Sequence, residues 1–350
     1  MSDPADVVAR VEGALKEFLD VRTTALLQIG DDLAPIGEAA VDFVLSGGKR
    51  LRPTFAYWGW RTTKDASDDD DRLLTAAAAL ELLHACALVH DDVMDDSNTR
   101  RGRPAVHRAF ARLHHQREWL GSSAAFGRSA AILLGDLLLC WSDQMFAGAG
   151  LGADSRAVYD RMREEVMAGQ YLDVLEQARG RVSVDAALRV AAYKTSRYTV
   201  EGPLQLGASA AGASRETRAA LTSYGLALGE AFQLRDDVLG VFGDSQATGK
   251  PTGDDLREGK RTLLTALAAQ RADVAQTAAL RSGLGDQALD DTRAEQLRQV
   301  IVDTGALASV EIRIAARAAE ARAALQEPSI SPPARAALGA LVGAATDRRS

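Results

Sequence analysis

Two groups of aspartates stand out because each follows a long apolar run. The first lies in the segment that reads LVHDDVMDDSNTRRGRP (88–104), which contains Asp91, Asp92, Asp95 and Asp96. Residues i and i+4 share a helix face, so Asp91 and Asp95 would project side by side. Like charges at the negative end of a helix repel one another. The segment therefore predicts a site for Mg²⁺, which carboxylates hold together with phosphate oxygens.

The second group lies in the segment that reads FQLRDDVLGVFGD (232–244), which contains Asp236, Asp237 and Asp244. Asp91 and Asp236 are 145 positions apart in the chain. Both groups end apolar helices that could run side by side. We therefore expect the two groups of carboxylates to face each other and to hold metal ions between them.

Basic residues accompany both groups and lie where helices break. They occur in the segments GGKRLRP, TRRGRP, YKTSRYT and GKPTGDDLREGKR, and they are Lys49, Arg50, Arg52, Arg100, Arg101, Lys194, Lys250 and Lys260. Ammonium and guanidinium groups bind phosphate oxygens, the guanidinium often through two parallel hydrogen bonds. Carboxylates, a divalent metal and several fixed cations together predict a site for a polyphosphate.

The elements that position these residues are predicted to be helices, because apolar residues recur three and four positions apart along the whole chain. Segment 107–123 is predicted to be irregular and mobile, and 243–261 to be a loop because it is rich in glycine and charge. No internal repeat or linker interrupts the pattern, so we expect one all-α domain over residues 1–350. The predicted helices cover 7–27, 38–45, 53–61, 72 to the first aspartates, 124–149, 155–178, 183–200 and 214–241.

The composition excludes several classes of protein. The net charge of −7 disfavours nucleic acid as a partner, because a phosphate backbone selects basic surfaces. Cys86 and Cys140 are the only cysteines, both in apolar surroundings, so disulfides are not expected. No uninterrupted apolar run approaches the roughly 18 residues of a membrane span. We therefore expect a cytoplasmic protein without stable membrane insertion.

In this order, the motifs resemble those of the trans-isoprenyl diphosphate synthases, or polyprenyl synthetases, and most of all the bacterial members that make geranylgeranyl diphosphate. The motifs span about residues 40–265 and read GGKRLRP (47–53), HDDVMDDSNTRRGRP (90–104), GQYLD (169–173), KT (194–195) and FQLRDDVLGVFGD through GKR (232–261). The resemblance implies an all-α isoprenoid-synthase bundle around a deep apolar cavity, formed as a single polyprenyl synthetase domain.

The resemblance also implies the reaction and the roles of the residues. The family joins isopentenyl diphosphate head to tail to an allylic diphosphate (dimethylallyl, geranyl or farnesyl) and releases diphosphate. It implies three Mg²⁺ per active site, with Asp91, Asp92, Asp95, Asp236 and Asp237 as the metal-binding set. Metal ions and fixed cations neutralise the leaving diphosphate, and an allylic cation is attacked by the second substrate.

The remaining site residues are also implied by the resemblance. Those matched to isopentenyl diphosphate are Lys49, Arg52, His84 and Arg101. Those matched to the allylic diphosphate are Arg100, Lys194, Lys250 and Lys260. Thr195 and Gln233 match the groups that line the allylic carbon, and they join Asp91, Asp95, Lys194 and Asp236 in the predicted catalytic set.

One position departs from the family pattern. Gly240 stands where the last acid of the second motif would be, so Asp236 is expected to suffice with support from Asp237, and the role of Asp244 stays open. His90 adjoins the first motif, but an outer or capping role is preferred to metal ligation. The family usually forms homodimers, and the alanine-rich helices near 124–149 and 155–170 would suit such an interface.

The length of the product is predicted from the helix that carries Asp91. One helical turn rises about 5.4 Å, roughly one isoprene unit, so residues four and five positions before Asp91 could form a floor for the chain. They are Ala87 and Cys86, and both are small. A chain passing them would reach Leu82 and Leu83. This favours a C20 product, geranylgeranyl diphosphate, over farnesyl diphosphate (C15), with longer products as a further alternative.

Two distant alternatives are a class I terpene cyclase and a non-catalytic subunit of a synthase heteromer. A cyclase usually carries a second motif of the form N/D-D-x-x-S/T-x-x-x-E, whereas Val238, Leu239 and Gly240 follow Asp237 here. A non-catalytic subunit would be expected to have lost acids or cations, and both sets remain in this chain.

Overall fold

The computed structural model describes residues 4–65, 68–180, 183–243 and 253–346. It divides into two compact units, of which the first comprises Met1–Ala157 with Leu206–Gly212 and the second Val158–Gln205 with Ala213–Ser350. The described residues are predominantly helical, and the prediction of an all-α fold is confirmed. That the whole chain forms a single domain stays a prediction.

The first unit is built around one buried helix, α4. Every residue from 76 to 83 in α4 is at most 5% exposed, because alanine and leucine there face neighbouring helices on all sides. This helix packs against α1, α3 and α6. The helices of this unit are α1 (Pro4–Ile29), α2 (Ala34–Leu45), α3 (Leu51–Trp60), α4 (Asp71–Met94), α5 (Val106–Gln116) and α6 (Ser123–Ala149), with a 3₁₀ turn at Asp31–Leu33.

Two helices, α7 (Ala153–Arg179) and α9 (Gly202–Ala210), have residues in both units. The second unit is built around α10, which packs against the π-helix, α15 and α16. Its apolar core includes Leu234, Leu256 and Leu264, all fully buried. The other helices are α8 (Val184–Ala191), the π-helix (Ala192–Glu201), α10 (Arg215–Phe242), α11 (Asp254–Glu258), α12 (Leu263–Arg271), α13 (Val274–Gly283), α14 (Asp291–Asp303), α15 (Ala306–Ala324) and α16 (Pro332–Thr346).

The prediction of an irregular segment at 107–123 is wrong for most of its length, because α5 covers Val106–Gln116. Val106 and Phe110 are buried on one face of this helix, which packs against α6. The turn that follows is ordered by His114, whose ring nitrogens lie 2.9 Å from the hydroxyl of Ser123 and 3.1 Å from the carbonyl oxygen of Leu120.

Three smaller differences concern the motifs. A hairpin of two short strands, β1 (Thr99–Arg100) and β2 (Arg103–Pro104), lies within the segment that carries the arginines. The helix predicted at 183–200 is α8 followed by the π-helix. The predicted loop 243–261 contains α11, and its residues 244–252 lie outside the described part of the chain.

Two helices, α4 and α6, are long and apolar enough by length and composition to cross a membrane. In α4 this is the composition of a core helix, because 72% of its most apolar window is buried within the protein. In α6 only 28% of the corresponding window is buried. Burial within the described residues therefore does not account for the apolar surface of α6.

Candidate active site

The loop between α2 and α3 holds the first basic residues, and glycine makes its path possible. Gly47 and Gly48 adopt positive φ angles of 96° and 143°, which side chains disfavour. The guanidinium of Arg101 donates a hydrogen bond to the carbonyl oxygen of Gly47 at 2.8 Å. Lys49 lies in the same loop and is exposed. The backbone of this loop therefore contacts a second basic segment, 54 residues further along the chain.

Arg50, within the same motif, has a structural role. It is 3% exposed, adopts a left-handed φ of 46°, and donates to Glu81 on α4 at 2.9 Å and to the carbonyl oxygen of Val44 at 2.8 Å. Its Nε also lies 3.3 Å from a carboxylate oxygen of Glu12 on α1. This buried ion pair joins the loop to α4 and partly offsets the charge of Arg50.

His84 on α4 marks the place where the predicted basic residues meet. Burial lowers the pKa of its imidazole well below the usual value, and the positive charges of Arg52, Arg101, Arg100 and Arg50 lower this pKa further, in that order. Four guanidinium groups therefore act on one side chain. The structure brings Arg52, Arg100, Arg101 and His84 together in the first unit, and a diphosphate is the kind of ligand that would neutralise this concentration of charge.

The first acidic motif lies at the end of α4. The helix ends at Met94, and the N–H of Asp95 donates to the carbonyl oxygen of Asp91 at 2.9 Å, so these two residues lie one turn apart. Both are partly exposed. Asp96 instead adopts a left-handed φ of 51°, and its carboxylate forms an ion pair with Arg108 at 2.9 Å. Asp91 and Asp95 thus form the accessible acidic pair.

Asp92 differs from its neighbours because it is fully buried. Burial raises the pKa of its carboxyl, and the guanidinium of Arg100 opposes this shift. Arg100 donates two hydrogen bonds to Asp92 Oδ1, at 2.9 and 2.6 Å, and its Nη2 also lies 3.5 Å from Asp91 Oδ2. The structure thus places Asp92, predicted as a metal ligand, in a buried pair with Arg100.

The hairpin explains how adjacent arginines reach different partners. Arg101 and Gly102 form its turn with positive φ angles of 52° and 73°, the signs found in a tight two-residue hairpin turn. Arg100, at the end of the first strand, contacts Asp92, while Arg101 contacts the loop after α2. The sequence signal for this turn was an arginine and a glycine between two short polar segments, which is weak.

In the second unit, Lys194 lies in the π-helix and its ammonium donates to Asp173 on α7 at 2.7 Å. Both residues belong to the predicted family motifs. Gly169 permits this approach, because a Cβ atom at that position would lie only 2.7 Å from the backbone nitrogen of Lys194. The glycine of the GQYLD motif is therefore needed for the contact between α7 and the π-helix.

Thr195, the residue that follows Lys194, begins a chain of hydrogen bonds that continues through Gln233 to Asp237. The hydroxyl of Thr195 donates to Gln233 Oε1 at 2.5 Å, and Gln233 Nε2 donates to Asp237 Oδ1 at 2.7 Å. Asp237 is 7% exposed, and burial raises the pKa of its carboxyl to about 7. Asp236, the leading acid of the motif, is partly exposed.

Gly240, the departure from the family pattern, is packed beneath another acid. A Cβ atom at this position would lie 1.8 Å from Asp255 Oδ2, so the side chain of Asp255 occupies the space above the glycine. The ammonium of Lys260 lies 2.7 Å from Asp255 Oδ1 and 2.9 Å from Glu258. Sequence reasoning missed Asp255, because only the fold brings it to α10. Lys250 and Asp244 lie outside the described residues.

The residues predicted to control chain length fall in two environments on α4. Leu83 and Cys86 are fully buried, whereas Ala87 is partly exposed. The sulfur of Cys86 lies 3.8 Å from His90 Nδ1, and burial raises the pKa of the thiol to about 12, with Asp136 and Cys140 adding to the shift. His90 itself is directed to α6, where its Nε2 lies 3.0 Å from the carbonyl oxygen of Ile132.

Among the described residues, no three side chains of histidine, cysteine, aspartate or glutamate are arranged as a ready metal site. The donor chemistry nevertheless fits Mg²⁺, because partly exposed carboxylates lie at Asp91, Asp95 and Asp236. This ion usually keeps several waters and takes only one or two protein carboxylates beside substrate phosphates. The acids present therefore match a metal that binds together with its substrate.

Comparison with known proteins decides the family. The family model described as polyprenyl synthetase matches residues 34–301. The chain belongs to this family. A geranylfarnesyl diphosphate synthase of Aeropyrum pernix is 33% identical to this synthase over 282 residues, which cover 79% of this chain and 82% of that protein. An octaprenyl diphosphate synthase of Escherichia coli is 32% identical over 251 residues, covering 71% and 70%.

A solved structure agrees over the whole chain. The geranylgeranyl pyrophosphate synthase of Corynebacterium glutamicum, complexed with isoprenyl diphosphate and magnesium, is 41% identical, has a TM-score of 0.95, and matches over 99% of this chain and 100% of its own. The present chain is thus a trans-prenyltransferase that makes isoprenyl diphosphates, and its family is metal-dependent. The predicted family, fold class and reaction are confirmed.

Proposed function

We propose that this synthase condenses isopentenyl diphosphate with allylic diphosphates up to farnesyl diphosphate and makes geranylgeranyl diphosphate. The observation that carries the proposed length is Ala87, a small and partly exposed residue one turn before Asp91 on α4. Residues 80–83, one turn further down, are at most 5% exposed and would limit a longer chain. The name of the Corynebacterium glutamicum relative supports the same product.

Product analysis tests this length. The purified synthase would be given isopentenyl diphosphate, Mg²⁺ and dimethylallyl, geranyl or farnesyl diphosphate in turn, and mass spectrometry should find C20 with each primer. Ala87→Phe should stop the product at C15, whereas Ala319→Phe on the exposed surface of α15 should still give C20. A wild-type product of C15, or of more than C20, would refute the proposed length without affecting the assignment of the reaction.

For the two substrates, we propose separate sets of cations. Lys49, Arg52, His84 and Arg101 would bind isopentenyl diphosphate, and the convergence of Arg52 and Arg101 on His84 supports this assignment. Arg100, Lys194, Lys250 and Lys260 would bind the allylic diphosphate. Of these, the three described residues are held by Asp92, Asp173 and Asp255, which orients each cation before a substrate competes for it.

For the metal, we propose that Asp91, Asp95 and Asp236 hold three Mg²⁺ ions together with the allylic diphosphate, and that Asp92 and Asp237 support the site without binding the metal directly. When bound, Mg²⁺ supplies Lewis-acid stabilisation of the leaving diphosphate. Calorimetric titration of Mg²⁺ in the presence of an unreactive allylic thiolodiphosphate should give three ions per chain. Asp91→Asn and Asp236→Asn should each lower this number or weaken binding. If Asp91 and Asp236 act on one cluster of ions, the losses of Mg²⁺ binding should not be additive in the variant that carries both substitutions.

During the reaction, the cations would offset charge as the C–O bond of the allylic substrate breaks. The oxygens of Thr195 and Gln233 would stabilise the developing allylic cation. The fixed position of the isopentenyl double bond would then favour its attack on that cation. The released diphosphate would accept the proton that is lost last, so the chain itself would supply neither the nucleophile, which is the isopentenyl double bond, nor the base.

We propose that the exposed apolar face of α6 packs against a second copy of the chain. Leu133 and Ile132 are 60% and 46% exposed there, and an exposed apolar surface of this kind is typical of an interface. Leu133→Glu should produce monomers in analytical ultracentrifugation. Ile312→Glu, at a residue of α15 that is 71% exposed, should leave the dimer intact. A wild-type monomer would refute this interface.

This interface would also account for the apolar composition of α6 without a membrane. We accordingly propose that the synthase is cytoplasmic. Cell fractionation should recover it with the soluble proteins, and recovery in a carbonate-washed membrane pellet would refute the proposal.

A further inference from the structure

The hydrogen bonds among Thr195, Gln233 and Asp237 have a defined direction. Gln233 Nε2 donates a hydrogen bond to Asp237 Oδ1 at 2.7 Å, so the NH₂ of the amide faces the carboxyl group. The amide oxygen of Gln233 then faces Thr195 and accepts the hydroxyl proton at 2.5 Å. Asp237 thereby determines which end of the amide meets Thr195.

This direction has a consequence for the charge that Thr195 and Gln233 present. The proton of the Thr195 hydroxyl is engaged by Gln233, and both oxygens keep lone pairs for other neighbours. If the amide turned over, its NH₂ would donate to Thr195, and the hydroxyl proton would be free to point towards the substrate. A proton directed at a developing cation would raise its energy, whereas a lone pair lowers it.

We propose that Asp237 is a positioning residue that orients Gln233 and, through it, Thr195, so that oxygen lone pairs face the allylic carbon. This inference rests on the roles proposed above for Thr195 and Gln233. It gives Asp237 a different role from Asp236, although the two are neighbours in the second acidic motif. Asp236 is the accessible metal ligand, and Asp237 sets the polarity of the site.

The surroundings of Asp237 support this division of roles. Asp237 is 7% exposed, and one of its oxygens is occupied by Gln233 one turn earlier on the same helix. Burial raises the pKa of its carboxyl, and the charged groups that act on it are Asp255, Lys260 and Asp236. Gln233 donates to this carboxyl group, and the contact directs its amide nitrogen towards Asp237.

The experiment compares binding of a cationic analogue, an amine with the charge at the allylic carbon, with binding of its neutral carbon isostere. Both would be titrated calorimetrically into the enzyme with Mg²⁺ and inorganic diphosphate. Asp237→Asn should weaken binding of the cationic analogue about 10-fold or more and leave the isostere unchanged. It should lower kcat similarly at unchanged KM. Asp237→Glu, which keeps the carboxyl group, should recover part of the selectivity.

Two controls separate the possible explanations. Asp236→Asn should raise the Mg²⁺ concentration needed for half-maximal activity, whereas Asp237→Asn should not. In a Gln233→Leu background, Asp237→Asn should have little further effect. A raised Mg²⁺ requirement in Asp237→Asn would make Asp237 a metal ligand and overturn the inference, as would equal weakening of both analogues. A wild-type enzyme without preference for the cation would instead refute the proposed roles of Thr195 and Gln233.

Discussion

Gly169 offers the sharpest test of the packing that positions Lys194. In α7 this glycine faces the π-helix, and a Cβ atom added to it would lie 2.7 Å from the backbone nitrogen of Lys194 and 2.9 Å from the carbonyl carbon of Tyr193. Both are backbone atoms, so a side-chain rotation cannot relieve the clash. Gly169→Ala must therefore push the π-helix away from α7.

The expected size of the effect follows from two opposing contributions. Replacing glycine by alanine within a helix stabilises it by about 1 kcal/mol. Overpacking of a buried contact costs about 1–3 kcal/mol. The net change in the free energy of unfolding should be a loss of up to about 2 kcal/mol. In the matched control Gly339→Ala on α16, no atom lies within 4 Å of the added Cβ, so only the stabilising contribution remains.

Urea unfolding followed by circular dichroism would measure both variants, and Gly169→Ala should be less stable than Gly339→Ala by about 1–3 kcal/mol. Because Lys194 and its neighbour Thr195 would move with the π-helix, kcat/KM for the allylic substrate should fall about 10-fold in Gly169→Ala only. If Gly169→Ala were as stable and as active as the control, the close contact at Gly169 would be refuted.

Three further changes give distinct results. Because burial and nearby arginines lower the pKa of His84 from 6.5, the unfolded chain takes up a proton that the folded protein does not, and stability falls with pH below that value. Between about pH 7.5 and 5.5 the free energy of unfolding therefore decreases, and His84→Gln should reduce this decrease by up to about 1.4 kcal/mol in urea titrations. Arg50→Met should lower stability in thermal unfolding by about 3 kcal/mol, because Glu81 keeps a buried charge without its partner, and Arg50→Met with Glu81→Gln should recover part of this. Gly240→Ala should displace Asp255, loosen Lys260 and raise the KM for the allylic diphosphate in steady-state assays, and an unchanged KM would contradict the proposed role of Lys260.

The sequence was sufficient to predict the helices that carry the motifs, because their apolar residues follow the helical period over many turns. Thus α4 and α10 were predicted to end near the two groups of aspartates, and both do so. The segment covered by α5 was misjudged because its many histidines and arginines obscured the apolar face formed by Val106 and Phe110.

Features that depend on tertiary contacts could not be predicted from local pattern. The π-helix around Lys194 packs against α10, and the close approach of Asp255 to Gly240 joins segments that no periodicity links. The different environments of neighbouring acids could not be predicted from the sequence for the same reason. Asp91 and Asp92 are neighbours of one type, yet only the position of Arg100 shows that Asp92 is enclosed in a buried pair.

Asp92, Asp173 and Asp255 each hold a cation that is proposed to bind the allylic diphosphate. A pyrophosphate product would be gripped tightly by ammonium and guanidinium groups that had nothing else to bind. Here, the three carboxylates can pair with those groups again as the product dissociates. Release of the product would then exchange one set of ionic contacts for another. The acids that order the cations in the free enzyme would thereby reduce the residence time of the diphosphate product and keep its release from slowing turnover.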